Sequence, residues 1–332
     1  MKILVTGGAG FIGANFVHCV YEHRPDWQIT VLDALTYAGN LANLEGLNES
    51  RFSFVKGDIC DAAIVDATVK DCEAVVHFAA ESHVDNSLSG PKLFIETNIL
   101  GTYQLLEACR KYNKRFHHIS TDEVFGDLAL DSADQFDEQT AYDPSSPYAA
   151  SKAGSDHLVR AWVRSFGLQA TITNCANNYG PYQHVEKLIP RQITEILENR
   201  RPKLYGQGVN VREWTHVDDH NDGVLKVLEN GRIGETYLIG SGVECNNKQI
   251  IETLLAIMGK HKNGYELVSD RPGHDLRYSN NSNKLRSELG WQPRYENLTD
   301  GLKATVQWYQ NNQAWWKPQK QVTEAKYKEL GR

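Results

Sequence analysis

The stretch TGGAGFIG at residues 6–13 narrows the possible folds more than any other part of the chain. It follows KILVT, a short apolar and β-branched run that reads as a strand. It opens FIGANFVHCVYEH, which reads as a helix. Gly7, Gly10 and Gly13 fall in a G-x-x-G-x-x-G spacing, with Phe11 and Ile12 inside it. Glycines at a strand-to-helix turn let the backbone bend sharply and approach a pyrophosphate. The helix start adds free N–H groups and the positive end of its dipole. With 26 glycines in 332 residues the spacing alone is a weak signal; the strand before it and the helix after it give it weight.

The next strand, QITVLD, ends in Asp33, 20 residues past Gly13 (33 − 13). A carboxylate there suits the ribose 2′-hydroxyl of a dinucleotide. It would repel a 2′-phosphate, and DALTYAGN supplies no arginine to receive one, so NAD is expected rather than NADP. KGDI places Asp58 and Ile59 at the end of a third strand, where they can flank an adenine; Asp58 is equally suited to cap a helix.

Short apolar runs alternate with helical patterns through the first half. KILVTG, QITVLD, FSFVKGD, AVVHFAA, RFHHIS and QATITNC read as strands. Between them lie helical stretches such as NILGTYQLLEACRKY and YAASKAGSDHLVRAWVRSF; in the latter Ala150, Leu158, Ala161 and Trp162 fall near one face. This alternation predicts an α/β fold with a Rossmann-type doubly wound parallel sheet. The rhythm changes after about residue 180. EKLIPRQITEILENR, NKQIIETLLAIMG and LTDGLKATVQWYQNN read as helices, RPKLYGQGVNVREW as a loop, ETYLIG as a strand and KPQKQVTEAKYKELGR as an exposed helical tail. The expected division is a cofactor domain at 1–178, joined by part of about 210–240, and a smaller, interleaved substrate domain over most of 179–332.

A net charge of −7 argues against nucleic acid or an anionic membrane as partner, and 41% hydrophobic residues suffice for a sizeable core. Six scattered cysteines without a C-x-x-C read as reduced thiols. The start lacks a signal-peptide pattern, and no apolar run approaches the ~20 residues of a membrane helix, so a soluble cytoplasmic protein is expected. His216 and His220 stand four apart in HVDDH, which reads as a helix start; no metal is expected.

Tyr148 and Lys152 in PYAASK stand at i, i+4 on one helix face. A nearby ammonium favours phenolate, so this tyrosine is expected to take a proton from a sugar hydroxyl as hydride leaves the same carbon. STDEVFGD raises a different question, because two adjacent carboxyls, Asp122 and Glu123, follow a strand. Ser120-x-x-Glu123 has capping-box form, yet EVFGD is a poor helix start.

The glycine turn with Tyr-x-x-x-Lys resembles the extended short-chain dehydrogenase/reductase superfamily. LTYAGN, AAESHVD, STDEVFGD, NCANNYGPY, EKLIP and DRPGHDLRY resemble its dTDP-glucose 4,6-dehydratase family over nearly the whole chain. That resemblance implies a lyase making a 4-keto-6-deoxy sugar nucleotide for rhamnose-type deoxysugars, with NAD as cofactor, dTDP-glucose as substrate and a homodimeric assembly. It implies Glu123 as base, Asp122 as acid, Thr121 on the C4 oxygen, and the Tyr148–Lys152 pair. It extends the cofactor site to Leu35, Thr36, Ala79, Ala80, Ser82, Thr97 and Asn178. For the nucleotide-sugar it implies Ser82, Asn177, Lys187, Leu188, Lys203 and Tyr205, then Arg212, Asn247, Arg271 and His274. Phe125, Ala176 and Glu213 depart from the family's usual tyrosine, serine and aspartate. A sugar-nucleotide 4-epimerase, a 4,6-dehydratase for another nucleotide-sugar and a non-catalytic NAD sensor are the competing readings. The residues do not decide thymine against uracil.

Overall fold

β-Branched and aromatic side chains fit a pleated surface, and the runs rich in them form the strands. The computed structural model of the protein describes residues 1–269 and 275–329. The six runs of the first half become β1 (Lys2–Thr6), β2 (Gln28–Asp33), β3 (Phe52–Lys56), β4 (Ala74–His77), β5 (Arg115–Thr121) and β6 (Ala170–Cys175). Six further strands follow: β7 (Asn177–Tyr179), β8 (Lys203–Tyr205), β9 (Val211–His216), β10 (Thr236–Ile239), β11 (Glu244–Asn246) and β12 (Glu266–Val268).

Seven strands form one parallel sheet in the order β10-β6-β5-β4-β1-β2-β3. The chain leaves β1 towards β2 and β3, then returns to start β4 on its other side. The loops after β1 and β4 therefore diverge and leave a crevice at the carboxyl ends of the strands, the usual place for a ligand in such a sheet.

Helices cover both faces. Along β1, Ile3 and Val5 point into a core with α1 (Phe11–His23), while Leu4 points into the opposite core with α2 (Ala62–Lys70). Two short helices, α3 (Val84–Ser89) and α4 (Pro91–Phe94), lead through a π-helical segment (Ile95–Gly101) into α5 (Thr102–Tyr112). α6 (Pro147–Phe166) starts on Ser146, which accepts from Ala149 N at 3.1 Å, and stops at Gly167 with φ +68°. Its buried face is not the expected Ala150, Leu158, Ala161, Trp162 stripe, since Ala150 and Ala161 are exposed. Tyr148, Ser151, Lys152, Ser155 and Asp156 are buried instead. Small and polar residues let this face sit close to β5 and find hydrogen-bond partners there.

The second half supplies α7 (Leu188–Leu197), α8 (Val217–Asn230), α9 (Asn247–Ile257), α10 (Asn283–Leu289), α11 (Leu298–Asn311) and α12 (Gln313–Glu329). α8 packs with α1 against the large sheet, while α7, α9, α11 and α12 enclose a separate core around Trp316 and Tyr309. The expected loop at 201–214 holds β8 and β9: β8 pairs with β12, and β9 lies between β7 and β11. The C-terminal helix is not an exposed tail. Lys320 is 2% exposed; its ammonium pairs with Glu195 and, at 2.9 Å, with Glu324, so two carboxylates answer the buried charge. No helix among the described residues is long and apolar enough to cross a membrane.

Candidate active site

The turn after β1 needs its glycines for steric reasons. Gly7 has φ +70°, and a Cβ there would lie 2.5 Å from Ala79 N; a Cβ on Gly13 would lie 2.3 Å from Gly7 O. The helix start at Gly10 has no capping side chain and no acid in its first turn. Its N–H groups and dipole face a groove of about 470 Å³. Gly7, Gly10, Phe11, Ile12 and Gly13 line that groove, as do Asp33, Thr36, Asp58 and Ile59. So do Ala79, Ala80, Ser82, Thr97, Asn178, Tyr148 and Lys152.

Asp33 ends β2 with both carboxylate oxygens held, one by Ala9 N at 2.9 Å and the other by Leu35 N at 2.8 Å. Burial raises its pKa, and these two donors oppose the rise. Leu35 itself lies outside the lining; its backbone has φ +54°, and its part is to hold Asp33. Asp58 does not cap a helix, because Asp61 caps α2. The groove therefore offers what a dinucleotide needs: an uncapped helix start, a backbone cleft free of Cβ atoms and a fixed carboxylate. Lys152 and Lys187 are the cations among its described lining residues.

At the inner end of the groove, β5 ends in Thr121 and a 3₁₀ turn carries Asp122–Phe125. Thr121, not Ser120, is the cap, accepting from Glu123 N at 3.3 Å. Gly126 (φ +93°) then turns the chain where a Cβ would lie 2.7 Å from Asp143 O. Asp122 is 2% exposed; burial, then the charges of Glu123 and Glu213, push its carboxyl well above the usual range. This shift favours the protonated carboxyl, the form a proton donor requires.

Tyr148 and Lys152 line the same place, in the first turns of α6. Lys152 Nζ donates to Ile119 O at 2.7 Å. Burial lowers this amine to about 8, with Asp156 acting in the opposite direction. The expectation that the ammonium lowers the Tyr148 pKa fails in the protein alone. Burial and then the Glu123 charge push the phenol well above 10, while Lys152 is turned towards the Ile119 carbonyl.

Residues absent from the sequence reading hold this centre together. Asn98, on the π-helical segment, accepts from Glu81 N at 2.9 Å and donates to Glu81 O at 3.0 Å and Ser151 Oγ at 2.8 Å, tying the loop after β4 to α6. Asp156, fully buried, receives Ser120 Oγ at 2.9 Å and Tyr142 OH at 2.7 Å. Asn174 Nδ2 reaches the same carboxylate at 3.2 Å.

A second cavity of about 290 Å³ meets the groove at Glu123 and Asn177. Ser82, Lys187, Leu188, Tyr205, Arg212 and Asn247 line it. Lys203 does not; its N–H donates to Gln192 Oε1 at 3.0 Å, and Gln192 lines the wall instead. Arg191, Trp214 and Tyr278 were missed; an arginine on a largely apolar helix and two scattered aromatics carry no local signal. Three cations, Lys187, Arg191 and Arg212, suit phosphate oxygens. Arg271 and His274 lie outside the described residues. His216 caps α8 and His220 is buried within it; burial lowers both to about 4. Phe125 stacks on Phe136 at 5.1 Å in a buried cluster.

A family model described as GDP-mannose 4,6 dehydratase matches residues 4–305. The dTDP-glucose 4,6-dehydratase of Mycobacterium tuberculosis is 56% identical over 331 residues, covering 100% of both chains. Among solved structures, DesIV, a dTDP-glucose 4,6-dehydratase from Streptomyces venezuelae crystallised with NAD, is 48% identical. Its TM-score is 0.92, over 96% of this chain and 100% of that one. The UDP-glucose 4-epimerase of Thermotoga maritima is more distant, at 29% identity and TM-score 0.87, over 94% of this chain and 100% of its own.

Proposed function

The chain belongs to the GDP-mannose 4,6 dehydratase family, and from that premise we propose that it converts dTDP-glucose to dTDP-4-keto-6-deoxyglucose. The relatives at 56% and 48% identity carry that activity in their names. Within the site, one observation carries the reading: a buried Asp122 carboxyl, which burial favours in its protonated form, directly before Glu123, the residue at the junction of the two cavities. A 4-epimerase needs the Tyr148–Lys152 site but no acid for a departing hydroxyl.

NAD held in the groove supplies a cationic hydride acceptor for C4 and a hydride donor for C6, and its positive charge favours a Tyr148 phenolate. Tyr148 takes the C4 hydroxyl proton, with Thr121 on the same oxygen. The resulting ketone acidifies the C5 proton, which Glu123 removes. As the C6–O bond breaks, Asp122 gives its proton to the leaving hydroxyl and water departs. A proton returns to C5, and the net reaction is a dehydration. Lys187, Arg191 and Arg212 bind the diphosphate, and the product is of the kind from which rhamnose-type deoxysugars are made.

The residues 1–178, with α8 and β10, hold the cofactor, and most of 179–332 holds the nucleotide-sugar. The assembly is a homodimer in the cytoplasm. Support for pairing is an apolar stripe in which Leu100 is 51% and Phe166 51% exposed, with Trp162 in ring contact with Tyr103 and Phe166. Light scattering on the purified protein tests it.

Incubation with dTDP-, UDP-, GDP- and ADP-glucose, scored for 4-keto-6-deoxy product, tests the function. The dTDP sugar is expected to react fastest. A 4-epimer without loss of water would contradict the reading.

A further inference from the structure

The general acid has to be stable in two states: protonated before it acts and ionised afterwards. Asp122 is almost closed to solvent, so the protein must serve both states. Among the described residues, Thr121 Oγ1 donates to Asp122 Oδ1 at 3.4 Å, Glu123 shares its turn, Glu213 and Arg212 come from β9, Tyr148 from α6 and Cys175 from β6. Of the charged groups among the described residues, Arg212 favours the ionised form, and its guanidinium also meets Val211 O at 2.7 Å, Asp275 O at 2.9 Å and the Tyr278 ring at 4.2 Å.

Asn280 meets the other carboxyl oxygen. It is 3% exposed, and its Nδ2 donates to Asp122 Oδ2 at 3.3 Å. Its Oδ1 is buried with no hydrogen-bond partner among the described residues. A buried amide oxygen left unpaired is costly, and its presence beside a carboxyl calls for a reason. The main chain of Asn280 is fixed from two sides. Glu213, fully buried, accepts Asn280 N at 2.7 Å and Gly242 N at 2.6 Å. The flanking residues pair with Phe136, whose N donates to Ser279 O at 2.8 Å and whose O accepts Asn281 N at 2.8 Å. The segment carrying Asn280 comes from far along the chain, 158 residues from Asp122, and its main chain is held by these hydrogen bonds while the side-chain amide faces the acid.

We propose that Asn280 is the positioning residue for the acid, its carboxamide presenting the oxygen to protonated Asp122 and the N–H₂ to the carboxylate formed when water leaves. A half-turn of the amide exchanges the two ends. Each orientation pairs one protonation state, which neither a hydroxyl-free apolar residue nor a second carboxylate can do. The proposal rests on the reading of Asp122 as the acid.

Asn280→Leu, of similar size, removes both ends. The C4 oxidation, seen as the appearance of NADH absorbance on adding dTDP-glucose, should keep its rate. The elimination should slow by about 10- to 100-fold, the scale of a lost hydrogen bond to a charged group. Loss of the N–H donor disfavours carboxylate, so the alkaline limb of the elimination rate should move to higher pH. Asn280→Asp keeps an acceptor but adds a like charge, and should move that limb further. It also serves if the leucine variant does not fold. A merely structural residue would slow both steps together and leave the limb in place; that result, or wild-type elimination in both variants, would overturn the proposal. Asp122→Asn, run alongside, separates the two levels. If it forms product normally, the reading of Asp122 itself fails; if it stalls while the Asn280 variants do not, only the Asn280 proposal fails.

Discussion

An alanine at residue 13 tests whether the glycine turn is a steric necessity of the cofactor groove. Its Cβ would lie 2.3 Å from Gly7 O and 3.0 Å from both Gly7 C and Gly8 Cα. A carbon rests ~3.3–3.6 Å from a carbonyl oxygen, so roughly 1 Å must open between the turn and the first turn of α1. Both sides are backbone, and no rotamer change can absorb the conflict. Overpacking of this kind costs about 1–3 kcal/mol. With ~2.1 cal/mol/K of unfolding entropy per residue, a chain of 332 residues loses about 1.4 °C for each kcal/mol. The Gly13→Ala midpoint should therefore fall by roughly 1–4 °C in protein stripped of nucleotide. Gly10→Ala is the control: its Cβ would meet only Gly7 O, at 3.3 Å, at an ordinary φ of −80°, and its midpoint should stay close to wild type. Opening the turn also displaces the N–H groups at the helix start, so Gly13→Ala should purify with less bound NAD, and saturating NAD should raise its midpoint less than that of wild type. Equal midpoints for the two stripped variants, with full NAD content in both, would refute the reasoning.

Tyr148→Phe should fold normally, retain its cofactor and lose C4 oxidation by ~10²–10⁴-fold, the scale of general-base removal; single-turnover NADH absorbance reads this directly. The Lys152 amine gives a pH test of stability. Its pKa falls from 10.5 to about 8 in the fold, so between those values the unfolded chain binds more protons than the folded one, and stability must rise with pH across that window. Denaturant unfolding of wild type against Lys152→Met should therefore diverge in favour of wild type by on the order of 3 kcal/mol from pH 8 to 10.5; a difference that stays flat would mean the amine is not desolvated.

Much of the molecule is legible where one short segment contains the whole signal. The central strands of the large sheet, such as β1 and β4, are short apolar runs because both their faces are covered, and the glycine turn, Asp33 and the Tyr148–Lys152 pair each fit within a few residues. What escapes is set by long-range placement. β8 and β12 are three residues each, 203–205 and 266–268, and are strands only because they find each other. Lys320 looks like a surface lysine until Glu195, 125 residues away, pairs with it. Asn98, Asp156 and Asn280 carry no local pattern, since their importance lies in which buried groups the topology brings to them. The acidic pair lies between these cases: its position is visible in the sequence, but Glu213, whose charge helps to raise the Asp122 pKa, and Asn280, which hydrogen-bonds it, come from the second half of the chain.

In the proposed mechanism, oxidation and elimination are carried by separate residues of one site. The most direct measurement is the fate of the cofactor in Asp122→Asn/Glu123→Gln after dTDP-glucose is added. Tyr148, Lys152 and Thr121 remain, so C4 oxidation should proceed and enzyme-bound NADH absorbance should rise. Without an acceptor for the C5 proton and a donor for the C6 hydroxyl, that absorbance should persist, and 4-keto-6-deoxy product should fall by orders of magnitude. Normal product formation by the folded double variant would contradict the account.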